Sequence, residues 1–330
     1  MDRENVNLIW VLCLATFHNF MGFTMKISPV AIFGYNRPDH LHATLKALMN
    51  NELAHSTPVY IFLDGPKHDS DVSQVASVRD VAREATGFSS LKIIAREENA
   101  GLATSVINGV SKILTEYDSI IVLEDDLVTS PYFLLYMNDA LERYRNLSQV
   151  MSVSAYGRKE VVESLRDADP YDAYFVPRNS SWGWGTWRDS WLLADWEVST
   201  YEGFQNDRQQ RKKFSEVSDD VSLMLDLQQH GFLDSWAIRW TYTHFVNHGV
   251  SLVPYHSYVR NIGFDGSGTH CRASEKFVVD LSKAKKYPKL PDFVHVREDT
   301  LAAFRAAHRQ KLISRLYWQA KLLGRRLGLH

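Results

Sequence analysis

Three acidic residues stand together in the motif Leu-Glu-Asp-Asp at 123–126, directly after an apolar run. Adjacent carboxylates repel one another unless a cation or an arginine compensates their charge. Their hard oxygen atoms suit Mg²⁺ or Mn²⁺. Such an ion can bridge a diphosphate and stabilise the negative charge that develops when a diphosphate leaves. The motif therefore indicates a candidate metal site, and a solvated acidic turn is the alternative.

The acidic motif ends the fourth of several apolar runs that alternate with helical patterns. Runs typical of buried strands occupy 29–35, 58–65, 91–97, 119–126 and 150–156. Helical patterns occupy 36–51, 71–85, 101–117 and 131–144. Strands that alternate with helices predict right-handed crossovers and a mainly parallel α/β sheet covered on both faces.

Polar residues follow the strands of this predicted sheet at their carboxyl ends. Arg37 follows the first strand, Asp64 ends the second, and Asn99 follows the third. Glu124 to Asp126 end the fourth. Ligands of open parallel sheets bind outside these ends, so four segments should converge on one site. For each residue taken alone, a role in a turn or a helix cap is the alternative.

Composition and motifs exclude several other classes of protein. The 37 Lys and Arg balance 39 Asp and Glu, which argues against a nucleic-acid partner. Neither a Gly-x-Gly-x-x-Gly loop nor a P-loop motif occurs, which disfavours a dinucleotide dehydrogenase and a P-loop kinase. Cys13 and Cys271 are too few for a disulfide framework or a cysteine zinc site, and indicate a reducing compartment.

Tryptophan is concentrated in the second half of the chain, where seven of nine lie between 182 and 240. Trp182 and Trp184 are flanked by serine and glycine, which predicts a tight loop. Indole rings commonly pack on the apolar faces of sugars, so this pair is predicted to bind the sugar or acceptor. The near-helical spacing of Trp187, Trp191 and Trp196 instead predicts core positions.

The first half of the chain resembles the nucleotide-sugar domain of GT-A-fold glycosyltransferases. The resemblance covers roughly residues 28–157, with looser similarity to about 275, and is greatest to the N-acetylglucosaminyltransferase I type and its bacterial relatives. It is carried by PVAIFGYNRPDHL, PVYIFLDGPK, ENAGL, IIVLEDDLVTSPYFLLYMNDAL and VMSVSAYG. The Glu-Asp-Asp motif stands where the wider fold usually has Asp-x-Asp. The resemblance implies a Rossmann-like α/β fold with a C-terminal acceptor-binding part.

The resemblance also implies roles for individual residues. Positions that match contacts to the nucleotide-sugar are Arg37, Asp64, Asn99, Glu124 and Asp125. Asp64 matches a contact on the uracil side, whereas Asn99 stands near a base-contacting His of the relative and differs in type. Asp126 matches the ligand of the metal, Mn²⁺ or Mg²⁺.

Asp234 best matches the family's general base, a carboxylate that precedes a Trp in this region. A sugar hydroxyl that attacks the anomeric carbon must lose its proton, and a carboxylate opposite the leaving group can accept it, as in inverting glycoside hydrolysis. An N-cap role for Asp234 is the alternative. His270 ends a glycine-rich segment that is predicted to order over the donor and exclude water, and is a second candidate metal ligand.

We expect an N-terminal extension at 1–25, a nucleotide-sugar domain at 26–157, an acceptor-binding and catalytic part at 158–285, and a basic tail at 286–330. The apolar run at 8–23 is too short to span a bilayer and does not resemble a secretory signal, so Met25 is a candidate native start. Residues 301–330 are basic and amphipathic, which predicts a helix that lies on anionic lipid or packs on the domain.

These patterns together predict a metal-dependent inverting glycosyltransferase. Its expected donor is a nucleotide-sugar, specifically a UDP-sugar, and its expected acceptor is a carbohydrate or a lipid-linked glycan. A role in bacterial surface polysaccharide synthesis is expected, in the cytoplasm and peripherally on the inner face of the plasma membrane. The rival classes are a sugar nucleotidyltransferase, which should carry a glycine-rich basic loop after the first strand, and a non-catalytic carbohydrate-binding protein.

Overall fold

The computed structural model describes residues 26–165, 169–266, 277–310 and 312–326. Its strands are β1 Val30–Gly34, β2 Pro58–Leu63, β3 Ser90–Ala95, β4 Ser119–Glu124, β5 Leu127–Thr129, β6 Val150–Ser154, β7 Ala173–Val176, β8 Trp184–Trp187, β9 Val250–Pro254 and β10 Val259–Asn261. The predictions for residues 1–25, for Cys271 and for His270 fall outside the described residues.

Twelve helices accompany these strands in the described ranges. They are α1 Pro38–Met49, α2 Val72–Glu84, α3 Leu102–Ile113, α4 Phe133–Tyr144, α5 Lys159–Leu165, α6 Arg188–Trp191, α7 Tyr201–Asn206, α8 Arg208–Ser215, α9 Val221–Gln229, α10 Trp236–Val246, α11 Glu298–Ala307 and α12 Leu312–Arg326. Pro38 opens α1, where its fixed φ suits the first turn and its missing N–H costs nothing.

Eight of the strands form one sheet in the order β3-β2-β1-β4-β8-β6-β9-β7. Strands β3, β2, β1 and β4 pair in parallel, as do β6 and β9, whereas β8 and β7 run antiparallel to their neighbours. This arrangement confirms the prediction of a mainly parallel Rossmann-like sheet. Strands β7, β8 and β9 come from the segment 158–285, so the sheet continues across the predicted domain boundary at 157.

The central strand β1 contributes to cores on both faces of the sheet. Val30 and Ile32 join a cluster that includes Leu41 and Leu45 of α1. Ala31 and Phe33 join a second cluster that contains Val106 of α3. Successive side chains of a strand point to opposite faces, so a continuous apolar run is what a sheet covered on both sides requires.

Five tryptophans pack in one cluster, and this finding corrects the prediction for Trp184; they are Trp184, Trp191, Trp196, Trp236 and Trp240. Trp184 lies in β8, which pairs with β4 and β6, and its side chain is only 1% exposed. Its ring stacks on Trp236 at 4.8 Å and on Trp191 at 5.6 Å between centroids. A sugar cannot reach a ring enclosed in this way, so the predicted sugar-binding role of Trp184 is wrong. Trp187 and Trp191 are buried as predicted.

The C-terminal region forms two helices rather than one. Phe304 of α11 packs in a cluster with Val161, Tyr174 and Val253, so this helix is part of the folded body. Leu322 of α12 is buried in a cluster with α9, but most other apolar side chains of α12 are exposed. None of the helices in the described ranges has the length and hydrophobicity required to cross a bilayer.

A buried histidine joins α10 to the sheet. The Nδ1–H of His244 donates to the Trp240 carbonyl at 2.9 Å, and Nε2 lies 2.9 Å from the hydroxyl of Ser152. A carbonyl can only accept, so Nδ1 carries the proton and the neutral ring accepts at Nε2. Burial lowers the pKa of His244 to about 4, and the bond to Trp240 opposes this shift.

Lowering the pH from 7 to 5 is expected to reduce the free energy of unfolding by about 2 kcal/mol through His244. In the unfolded chain this imidazole has a pKa near 6.5 and takes up a proton, whereas folded His244 stays neutral down to about pH 4. The unfolded state therefore binds more protons, and stability falls as the pH falls. Urea unfolding at the two pH values measures the difference.

The variant His244→Gln is expected to lose this part of the pH dependence, whatever its own stability. His42 is exposed on α1, so His42→Gln is the matched control and should keep the pH dependence of the wild type. The same loss of stability between pH 7 and 5 in all three proteins would exclude His244 as the titrating group.

Candidate functional site

The carboxyl ends of β1, β2 and β4 lie side by side. Phe33 of β1 is in register with Glu124 of β4, and Gly34 is in register with Leu63 of β2. The polar residues that follow these strands therefore lie at one edge of the sheet. They form two groups, one around Asp126 and one around Asp64.

The first group is an ion-paired cluster of Arg37, Asp125 and Asp126. The guanidinium Nη2 of Arg37 lies 2.9 Å from Oδ2 of Asp126 and also donates to Oδ1 of Asp125. Both carboxylates are almost fully buried, and Arg37 is mostly so. The positive charge of Arg37 therefore compensates the negative charges of the adjacent carboxylates. An arginine and a bound cation were the two ways in which the acidic motif could be stabilised. The hydroxyl of Thr44 on α1 donates to the Asp125 carbonyl at 2.7 Å and fixes the turn.

The electrostatics of this cluster favour additional positive charge. Burial, together with the neighbouring Asp126 and Asp125, raises the pKa of Glu124 to about 8, and Arg37 opposes this shift. Burial also raises the pKa of Asp125 to about 6 against the influence of Arg37. One guanidinium thus does not fully offset three carboxyl groups. A divalent cation would lower their pKa values by direct attraction.

Asp126 has one oxygen available to a cation. Its Oδ1 is buried and, within the described residues, has no hydrogen-bond partner. A carboxylate oxygen in this position fits a divalent ion, so Asp126 is the residue that would hold it. Across the described ranges, no group of three or more His, Cys, Asp or Glu could hold a metal ion by itself. The remaining ligands would therefore have to come from a bound diphosphate, from water or from outside the described ranges.

A two-stranded ribbon covers this cluster. Strands β5 and β10 pair antiparallel, and beyond them the amide of Ile262 donates to the Asp126 carbonyl at 2.9 Å. A Cβ at Gly263 would lie 2.2 Å from Oδ2 of Asp126, so only glycine fits there. The sequence showed glycines around 263–268 but not the contact of Gly263 with Asp126, because that contact depends on the pairing of β5 with β10.

The second group joins the end of β2 to the start of α3. Asp64 accepts from the backbone N–H of Ala100 and of Gly101, each at 2.9 Å. Asn99 donates from Nδ2 to the Gly65 carbonyl at 2.9 Å. Asp64 and Asn99 therefore fix the loop that bounds this side of the site. Their contacts with a nucleotide remain predictions.

Asp234 lies next to this loop. Its Oδ2 is 4.0 Å from the position that a Cβ on Gly101 would occupy, and Gly101 has φ +78°, a conformation that L side chains rarely adopt. Its Oδ1 lies 3.1 Å from Nη2 of Arg239, and the carboxylate is largely exposed. The helix cap of α10 is Ser235, whose hydroxyl accepts from the Ile238 N–H. The capping alternative for Asp234 is therefore wrong, and its carboxylate lies beside Gly101.

The side chain of Trp182 is partly exposed. Its ring meets Tyr156 edge-on at 4.5 Å and Phe264 at 5.5 Å between centroids. It lines a cavity of about 340 Å³ that Ser235 also lines. Trp182 therefore remains a candidate for sugar contact, unlike Trp184.

An eight-stranded, mainly parallel α/β sheet with an acidic cluster at its carboxyl edge defines the class of GT-A-type, Rossmann-like proteins. A model of glycosyl transferase family 2 matches residues 30–224. The match covers more than half of the chain, which therefore belongs to this family. The narrower resemblance to the N-acetylglucosaminyltransferase I type has no such support. Comparison with curated proteins gives no match.

Several solved structures are similar in part. The mannosyltransferase PcManGT of Pyrobaculum calidifontis, solved with GDP-Man and Mn²⁺, is 12% identical with a TM-score of 0.34 over 54% of this chain and 52% of that chain. TarS 1–349 of S. aureus is 9% identical with a TM-score of 0.39 over 72% and 61%. A Bacillus anthracis protein described as a glucose-1-phosphate thymidylyltransferase is 12% identical with a TM-score of 0.36 over 72% and 90%. The chain thus spans only about half to three fifths of the first two of these proteins.

Proposed function

We propose that this glycosyltransferase moves a sugar from a UDP-sugar to a carbohydrate acceptor, with a divalent ion and with inversion at the anomeric carbon. The observation that carries the proposal is the buried Oδ1 of Asp126, which has no hydrogen-bond partner within the described residues and lies beside Arg37 at the carboxyl edge of the sheet. Asp234, next to the loop fixed by Asp64, is the proposed general base.

Each residue has a defined task in the proposed reaction. Arg37 compensates the negative charge of Asp125 and Asp126 in their buried setting, and Asp126 would hold Mn²⁺ or Mg²⁺. An ion held by Asp126 would supply positive charge that stabilises the leaving diphosphate. Asp234 accepts the proton of the acceptor hydroxyl as the new bond to the anomeric carbon forms. Water exclusion at the anomeric carbon would limit hydrolysis of the donor.

Release of nucleoside diphosphate in the presence of Mn²⁺ tests the proposed function. A panel of UDP-, GDP- and dTDP-sugars is incubated with the protein and an acceptor mixture, after thermal-shift selection of donors that stabilise the fold. Diphosphate release that depends on both Mn²⁺ and the acceptor supports transfer. Pyrophosphate release from a nucleoside triphosphate and a sugar 1-phosphate would instead establish a nucleotidyltransferase. Sugar binding without turnover would establish a binding protein.

We further propose that α12 holds the enzyme on an anionic membrane, where a lipid-linked glycan would be its acceptor and surface polysaccharide its product. Leu312, Ile313, Leu316 and Tyr317 are more than half exposed, and their spacing places them on one side of the helix. The opposite side carries Trp318 and Leu322, which pack on the body of the protein. The sequence of α12 contains basic residues and no acidic ones, so its outward face suits anionic lipid.

Replacement of Ile313 and Leu316 by Glu is expected to abolish binding to phosphatidylglycerol-containing liposomes. The two carboxylates remove apolar area from the contact and repel the anionic surface. Co-flotation of the protein with liposomes measures the effect. Leu192→Glu is the matched control, because Leu192 is 74% exposed at the end of α6. Equal flotation of the wild-type protein, the double variant and Leu192→Glu would contradict the membrane role of α12. Binding to neutral liposomes but not to anionic ones would contradict it as well.

A further inference from the structure

The cavity of about 340 Å³ that Trp182 lines extends to the start of α10. Small-molecule sites commonly measure roughly 300–1,000 Å³, so a sugar fits. Ser235 lines the cavity and directly follows Asp234, the proposed base. At the other side Trp182 touches Phe264, next to Gly263, which covers Asp126. Ser235 therefore connects the cavity wall to Asp234, and Trp182 connects it to the segment that covers Asp126.

The polar wall of this cavity is cationic. Arg158, Arg178 and His308 line it, and no carboxylate does so among the described lining residues. Arg158 donates from Nη1 to His308 Nε2 at 2.8 Å, and the Nδ1–H of His308 donates to the Phe304 carbonyl. Burial and the positive charges of Arg178 and Arg158 lower the pKa of His308 well below its usual value. The ring is thus a neutral acceptor between two guanidinium groups.

The two arginines differ in how their charge is balanced. Arg178 forms a two-point pair with Asp220, at 2.6 Å and 3.1 Å, behind the cavity wall. Within the described residues, the carboxylate within ion-pair distance of Arg158 is that of Glu160, whose Oε2 is 3.9 Å from Nε, at the limit of an ion pair. A pair at that distance compensates the charge less than a direct hydrogen-bonded pair does. Arg158 therefore supplies most of the positive character of the wall.

Two buried donors on this wall lack acceptors. Asn179 is 6% exposed, and its Oδ1 accepts from the hydroxyl of Thr241, while its Nδ2 has no partner within the described ranges. The Nε–H of Arg158 is also buried and has no hydrogen-bond partner there. Buried donors without partners carry a cost of desolvation that a ligand oxygen would remove. Both donors therefore call for a ligand rich in acceptor oxygens.

Aromatic rings form the other part of the wall. Trp182 lies edge-on to Tyr156 at 4.5 Å and to Phe277 at 5.4 Å between centroids, and all three line the cavity. Such rings present apolar surface for the C–H face of a sugar. A sugar with a strongly accepting anionic group would satisfy both walls.

We propose that this cavity binds the acceptor as an acidic sugar, whose phosphate or carboxylate group meets Arg158 and Asn179 while its ring packs on Trp182. The proposal rests on the proposed glycosyl transfer, since it names the class of acceptor. It places the acceptor beside Asp234, so that a hydroxyl of the same sugar can give up its proton to that base.

The test is a binding measurement that needs no donor and no turnover. Titration calorimetry compares glucose 6-phosphate, glucuronate and glucose on the wild-type protein. We expect at least one acidic sugar to bind about tenfold or more tightly than glucose. A preference for the phosphate identifies a phosphosugar acceptor, and a preference for glucuronate identifies a uronic acid.

Matched variants assign the preference to the cavity. Arg158→Gln should lose most of it, Arg158→Lys should keep part, and Trp182→Ala should weaken all three sugars without changing their order. Arg143→Gln is the control, because Arg143 is paired with Asp292 at the surface. Thermal unfolding checks that each variant folds. If Arg158→Gln does not fold, the measurement is made on Arg158→Lys.

Equal binding of the three sugars by the wild-type protein, or an acid preference that survives in a folded Arg158→Gln variant, would overturn the proposal. Failure of the proposed function is a separate result. If the protein binds acidic sugars selectively but releases no diphosphate from any donor, the proposed cavity stands and the proposed sugar transfer is wrong. If diphosphate is released with neutral acceptors and acidic sugars bind no more tightly than glucose, the proposed sugar transfer stands and the proposed acidic-sugar cavity is wrong.

Discussion

Asp234→Asn is expected to lower the turnover of sugar transfer by about 10²–10⁴-fold, the range typical of a lost general base. The amide keeps the shape of the side chain and its contact with Arg239 but cannot accept a proton. Donor and metal should bind as before, because Asp234 adjoins Gly101 and has no contact with Asp126 or Arg37. Rates of nucleoside diphosphate release at saturating donor measure the loss, and a titration of UDP with Mn²⁺ measures retained binding.

The control for this variant is Asp219→Asn. Asp219 is an exposed aspartate 4.0 Å from Arg309, outside the site, and its loss should leave turnover within about twofold of wild type. A pH profile adds a second criterion, since loss of a base removes the acidic limb of the rate profile. Turnover of Asp234→Asn close to that of Asp219→Asn would remove Asp234 from the mechanism.

The centre of the first half of the fold was predictable because strands β1 and β4 are buried on both faces. A strand such as Val30–Gly34 therefore appears in the sequence as a continuous apolar run. The strands that pair with it follow from the rules for parallel crossovers. The meeting of Arg37 with the acidic motif follows from the same logic, since β1 and β4 are adjacent. What the sequence could not supply was the direct pairing of Arg37 with both Asp125 and Asp126, which depends on rotamers.

The second half was harder because β7 and β8 run antiparallel to their neighbours and join segments that are distant in the sequence. Trp184 has the glycine neighbours of a loop, yet β8 lies between β4 and β6, where Gly185 fits beneath the Ile120 carbonyl. Small residues there permit close packing of strands rather than approach of a ligand. The cavity at Arg158 was also missed, because its wall joins residue 158 to residue 308 and no local pattern connects them.

The C-terminal region shows where amphipathicity alone is ambiguous. Basic and apolar residues recur at helical spacing from Leu301 onwards, yet α11 buries Phe304 and α12 leaves its apolar side exposed. The same pattern thus produces one packed helix and one outward-facing helix. The difference arises from tertiary partners, because α11 meets the apolar side chains of α5, β7 and β9, whereas α12 meets α9 through only part of its surface.

Asp126→Asn is expected to reduce metal-dependent transfer by about 10²-fold or more, the scale on which lost transition-state charge stabilisation acts. The amide oxygen is a weaker ligand than a carboxylate, and Arg37 keeps its contact with Asp125 in the variant. The fold should survive, because one of two paired carboxylates remains and repulsion within Glu124 to Asp126 falls. Asn is therefore a better test than Ala, which would also leave a gap under Gly263.

The decisive measurement is the stabilisation of the fold by Mn²⁺ with UDP. Ligand at a hundredfold excess over its Kd adds about 2.7 kcal/mol to the wild-type protein, and Asp126→Asn should lose most of that gain. Asp118→Asn is the control, because Asp118 precedes the same strand at its opposite end and pairs with Lys26 at the surface. Full stabilisation and turnover in Asp126→Asn would show that the ion is held elsewhere. Loss in both variants would indicate damage to β4 rather than to the metal site, since only Asp126 lies at the carboxyl edge where the diphosphate would bind.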